Sequence, residues 1–126
     1  MKIAVYGTLK QEYKNNIIKS IPLYNGYIKI DKISGIGFPM IKLGDKYKLL
    51  VEVYNVSSEE LQKIDDYEGY LKENSRHNFY NRVKTKVYNI ETNEVIENVF
   101  VYEFNDDISN YISDLHKINE TEIYSW

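Results

Sequence analysis

The chain has 126 residues, 43% of them hydrophobic and 28% charged, the proportions of one soluble globular domain large enough to bury a real core. A net charge of −3 with no basic stripe gives no nucleic-acid footprint. Without cysteine there is no disulfide framework, thiolate nucleophile or cysteine metal site.

The N-terminus, Met1 to Lys10, is too poor in apolar residues for a signal segment, and no run approaches a membrane span. One cytoplasmic domain over residues 1–126, without a membrane or nucleic-acid partner, is therefore expected. "KIAVY" (Lys2 to Tyr6) reads as a short buried strand that stops at Gly7. "EYKNNIIKS" (Glu12 to Ser20) suggests a short helix, and "GYIKIDKI" (Gly26 to Ile33) alternates as a strand does. "SGIGFP" follows, with two glycines and a proline that signal a bend. Three further strands are predicted over Tyr47 to Val56, Arg82 to Ile90 and Asn98 to Phe104, the last two joined by a hairpin connection at "ETNEVIEN". The tail from Asn105 is polar, with one short helix expected around Ile108 to Leu115. Many strands around one clear helix predict an α+β domain with a curved or barrel-like sheet.

That helix is the best-defined local signal. Ser57 fits an N-cap and Glu60 completes a capping box, while Val56 and Leu61 fit a hydrophobic staple. Gly69 suits the left-handed position that ends a helix. The predicted helix runs from about Ser58 to Glu68. It carries three carboxylates in four residues, Asp65, Asp66 and Glu68. At about 100° per residue, Asp66 projects to water and Asp65 lies at the edge of the stripe set by Leu61 and Ile64. Glu68 projects only about 20° from Leu61 and shares the buried stripe.

Burial and the negative end of the helix both disfavour a charged Glu68, which suits a group that transfers protons near neutral pH. The plainer reading is a glutamate that reaches outward or pairs with Lys63 or Lys72, and periodicity alone favours it. "VYGTLK" (Val5 to Lys10) is the other candidate, because a strand running into Gly-Thr lets backbone N–H groups approach a ligand. A tight turn is its plainer reading. It lacks the spacing of a phosphate loop. His77 and His116 lack metal-type spacing. Arg82 shares a strand face with Lys84 and Lys86, for which solvent exposure is the ordinary expectation.

These signals coincide, in order along the chain, with one family pattern. "YGTL" (Tyr6 to Leu9), "FPMI" around Pro39, "VEVYNVSSEEL", "IDDYEGY" with Glu68, "FYNRVKTKV" and "VFVY" together resemble the γ-glutamylcyclotransferase-like family, which includes the γ-glutamylamine cyclotransferases. Val51 departs from the glycine usual before Glu52, and Gln11-Glu12 from the usual Arg-Gly after the loop. The resemblance implies a small mixed β-barrel with flanking helices, no cofactor and no metal. It implies a γ-glutamyl amine or amide as substrate, closed to 5-oxoproline by its own α-amine. It reverses the order of the two readings of Glu68, which becomes the expected general base and acid. Tyr6, Gly7, Thr8 and Leu9 become the expected substrate-binding loop, and Tyr80, Arg82 and Tyr102 lesser candidates for the pocket wall. Two other readings keep the same residues. One is a non-catalytic module of the same fold that binds a small amino-acid-like ligand. The other is an interaction protein in which exposed members of its thirteen tyrosines form a protein-binding patch. The sequence specifies neither the released amine nor the oligomeric state.

Overall fold

The computed structural model describes residues 1–35, 37–110, 115–118 and 121–126. Its elements in chain order are β1 (Lys2–Val5), a 3-10 turn (Gln11–Tyr13), β2 (Tyr24–Ser34), β3 (Met40–Asn55), α1 (Ser58–Glu68), β4 (Tyr80–Asn89), β5 (Val95–Phe104), β6 (His116–Lys117) and β7 (Ile123–Ser125).

The short apolar run of β1 is buried because it is paired on both edges. It lies antiparallel to β3, with Ile3 opposite Tyr54 and Val5 opposite Glu52, and parallel to β5 through Ile3 and Phe100. The order β1-β5-β4-β2-β3 thus returns to β1 and closes a five-stranded mixed barrel, with β7 and β6 extending it beyond β3. Closure removes the exposed edges that an open sheet presents. This is the α+β barrel expected from the sequence, with one α-helix and extra strands among the described residues.

Strand alternation divides the apolar residues between two faces. Ala4, Ile28, Ile30, Leu49, Val51, Val53, Val87, Val99 and Val101 pack together on the inner face. Ile3, Val5, Tyr54, Tyr80 and Tyr102 pack on the outer face, where Leu61 and Ile64 of α1 cover them. The helix ends as predicted. The Ser57 side chain accepts from the Glu60 N–H, Glu60 returns the bond to the Ser57 N–H, and Gly69 ends the helix at φ 68°.

Two expectations change, and a third lies largely outside the described residues. The helix over Glu12 to Ser20 shrinks to the Gln11–Tyr13 turn, ended by Lys14 at φ 49°. The physical cause is Asn15, whose side-chain oxygen accepts from the N–H groups of Ile17 and Ile18 while its amide donates to the Leu9 carbonyl. Those side-chain bonds compete with the helical ones. The strand predicted from Tyr47 begins at Met40 instead, since Met40 to Leu43 also pair with β2 across a bulge that masks the alternation. Asp31 accepts there from the Asp45 N–H at 2.8 Å, and a Cβ on Gly44 would lie 1.8 Å from the Asp31 carboxylate. The helix around Ile108 to Leu115 falls largely on residues 111–114, outside the described residues.

Candidate active site

β1 delivers the chain into a tight turn at its C-terminal end. The Gly7 carbonyl accepts from the Lys10 N–H at 3.0 Å, closing the turn over Thr8 and Leu9. Gly7 has no room for a side chain, since a Cβ there would meet the Pro39 ring at 2.7 Å. Among the described residues, the N–H groups of Gly7, Thr8 and Leu9 have no acceptor. Glu52 steadies the far side of the turn by accepting from the Gln11 N–H at 2.7 Å and from the Tyr54 hydroxyl at 2.8 Å.

This turn forms one wall of a cavity of about 390 Å³. The end of α1 forms the opposite wall with Tyr67 and Glu68, while Phe38 and Pro39 enter from the β2–β3 connection. Phe79, Tyr80 and Tyr102 complete it from β4, β5 and the approach to β4. The cavity therefore brings together Tyr6, Gly7, Thr8, Leu9, Glu68, Tyr80 and Tyr102 of the residues singled out in the sequence. Arg82 is not in its lining.

The lining tyrosines are committed to the protein. Tyr6 donates to the Tyr102 carbonyl at 2.6 Å, Tyr80 donates to the Pro39 carbonyl, and Tyr102 donates to Asp65 at 2.6 Å. Burial pushes all three phenols above their ordinary range, so they stay protonated near neutrality. Glu68 differs. Its carboxyl has no hydrogen-bond or ion-pair partner among the described residues, and burial pushes it up to about 7. Neither Lys63 nor Lys72 pairs with it; Lys63 reaches Glu59 instead, at 3.9 Å.

The other two carboxylates of the helix separate sharply. Asp66 is exposed, as its helical phase requires, and accepts from Gln62 at 3.1 Å. Asp65 is 6% exposed rather than at the edge of a stripe. It pairs with the Arg82 guanidinium and accepts from the Tyr102 hydroxyl, while its own carbonyl accepts from the N–H of Tyr70. Arg82 lies over the rings of Tyr70 and Phe100. It anchors the helix end to β4 rather than facing water with the strand's lysines. Sequence reading missed this pairing, and also missed Phe38, Tyr67 and Phe79 as lining. The pairing had one readable signal, an acidic residue beside the apolar stripe in a chain with two arginines.

A barrel that opens at the end of its first strand onto a cavity of this size has the dimensions of a small-molecule site. The family model described as gamma-glutamyl cyclotransferase, AIG2-like matches residues 3–124, and the chain belongs to that family. Solved structures agree on the fold. An uncharacterized protein of Pyrococcus horikoshii, known from a crystal structure, is 25% identical with a TM-score of 0.62, over 87% of this chain and 82% of that one. An Arabidopsis thaliana protein with a solution structure is 21% identical with a TM-score of 0.63, over 84% of this chain and 70% of that one. No curated protein matches the sequence.

Proposed function

We propose that the protein is a γ-glutamyl cyclotransferase acting on γ-glutamyl amines or amides, with Glu68 as its general base and acid. Family membership supports the reaction class. The observation that carries the reading is Glu68 itself, a carboxyl raised to about 7 and unpaired among the described residues, in a cavity whose opposite wall offers backbone N–H groups without an acceptor among those residues.

A γ-glutamyl compound carries its own nucleophile. Its α-amine attacks the γ-carbonyl carbon, a new C–N bond closes the five-membered lactam, and the bond to the leaving amine breaks. Intramolecular attack already supplies much of the proximity that a bimolecular reaction lacks. Proton traffic remains. Ionised Glu68 takes a proton from the α-ammonium and returns it to the departing nitrogen, and the second proton that the attacking nitrogen sheds as the lactam closes passes through the same carboxyl to the released amine, which leaves as an ammonium. The N–H groups of Gly7, Thr8 and Leu9 hold the α-carboxylate or the developing oxyanion. Tyr6, Tyr80 and Tyr102 shape the wall and keep water from the carboxyl.

The test is a panel of γ-glutamyl amino acids, γ-glutamyl-ε-lysine, γ-glutamyl alkylamines and glutathione, scored for 5-oxoproline by mass spectrometry. Release of 5-oxoproline with an equimolar amine from at least one member is the expected result. No release from any member overturns the reading.

A further inference from the structure

The mouth of the cavity is made of three aromatic rings that remain open to water. Phe38 is 44% exposed, Phe79 46% and Tyr67 52%, and all three line the cavity. They come from separate segments and are braced. The Phe38 and Phe79 centroids lie 5.8 Å apart, and Phe79 packs edge-on against Tyr80 and Phe104 at 5.1 Å each. The Tyr67 hydroxyl shares a hydrogen bond of 2.8 Å with Thr8, which fixes its ring beside the turn. Exposed rings gathered at one opening mark a surface that a ligand covers.

Charge at this opening is one-sided. Among the described lining residues Glu68 is the only charged side chain. Lys10 is occupied by the Trp126 carbonyl and Glu12, and Lys42 by the Phe104 carbonyl. A carboxylate on the departing amine would lose water against ring faces, with no cation among the described lining residues to meet it and Glu68 to repel it. An ammonium held there would stabilise ionised Glu68 and weaken it as a proton acceptor.

We infer that the substituent on the scissile nitrogen is an uncharged apolar one, of the arylalkyl class, seated on Phe38, Phe79 and Tyr67 and released as an arylalkylamine. This rests on the cyclotransferase reading for the bond that is broken, but the rings would select the same ligands by binding alone. The inner cavity takes the γ-glutamyl group, and the ring mouth takes the substituent on nitrogen.

The experiment compares four compounds, γ-glutamyl benzylamide, γ-glutamyl methylamide, γ-glutamyl alanine and γ-glutamyl putrescine. Turnover is read as 5-oxoproline, and binding as thermal shift on the Glu68→Gln variant. The benzylamide is expected to exceed each of the others in kcat/KM by about tenfold or more, and to give the largest shift. Phe79→Ala should collapse the benzylamide-to-methylamide ratio toward one. Phe38→Ala, whose ring packs on Phe79, should do the same and guards against a Phe79 variant that fails to fold. If the alanine or putrescine compound is processed as well as the benzylamide, the inference is overturned while the cyclotransferase reading stands. If nothing is turned over but the benzylamide still binds best, the cyclotransferase reading fails and the ring-mouth selectivity stands. Equal shifts from all four, with no turnover, overturn both.

Discussion

Tyr102 donates its phenol to the Asp65 carboxylate at 2.6 Å, across thirty-seven residues of sequence. Arg82 pairs with the other carboxylate oxygen. Helix α1 is thereby fastened to β4 and β5 one turn before Glu68, so the catalytic geometry proposed here depends on a carboxylate that touches no substrate. Asp65→Asn should destabilise the chain by about 1–3 kcal/mol, since it leaves Arg82 poorly matched at a site only partly open to water. Denaturant unfolding measures this. Turnover should fall through kcat with little change in KM. Asp66→Asn should leave both unchanged, because Asp66 is exposed and bonds only to Gln62 among the described residues. Equal effects from the two variants would mean that the Asp65 contacts do not hold the helix end.

Glu68→Gln should lower the rate by roughly 10²–10⁴ or more, the usual contribution of general acid–base catalysis. The amide keeps the shape of the carboxyl but cannot accept and return a proton. A γ-glutamyl substrate should still raise the melting temperature of the variant, because binding the folded state stabilises it. A variant with full activity would rule out the proposed mechanism.

The pH dependence of kcat/KM should show an ascending limb near 7, where Glu68 becomes ionised. A limb near 4.5, the ordinary value for the carboxyl, would show that burial does not act on it in solution.

Stability should carry the same signature with the opposite sign. The folded chain holds the Glu68 proton up to about 7, whereas the unfolded chain loses it near 4.5. The protonated carboxyl costs nothing in the fold below pH 4.5, and stability falls as pH rises from there through about 7. The Glu68→Gln variant lacks this loss. It should match the parent at low pH and exceed it by roughly 1–3 kcal/mol above pH 7, allowing for partial solvent access. Denaturation series at pH 4 and pH 8 separate the two cases.

Gly7→Ala should cost about 1–3 kcal/mol through overpacking, because its Cβ would meet Pro39 Cγ at 2.7 Å and Cδ at 2.8 Å. Relief of that contact moves either the turn or the Pro39 segment, so KM should rise as well. A variant with unchanged stability and KM would show that Pro39 yields without moving the turn.

The sequence by itself determined the features whose causes lie within a few residues. The ends of α1 were legible because capping at Ser57 and Glu60, and termination at Gly69, are local hydrogen-bond and backbone events. Seven helical steps after Leu61 predicted a buried Glu68; in the structure it is half-buried and lines the cavity. Tertiary structure decided what depends on partners brought from far away. A helical wheel leaves Asp65 at an edge, and only the register that sets Arg82 opposite Tyr102 in adjacent strands supplies the two donors that bury it. The helix expected over Glu12 to Ser20 gave way to Asn15, whose reach to the Leu9 carbonyl no periodicity could foresee. Strands β6 and β7, of two and three residues, are too short to carry a pattern and form because β3 runs past the end of β1, leaving Lys48 and Leu49 to pair with β7. Phe38, Tyr67 and Phe79 show no shared spacing along the chain, and closure of the barrel alone gathers them at one mouth. Propensity and periodicity act over a helical turn or a strand pair, whereas a cavity is a property of which segments the register places side by side.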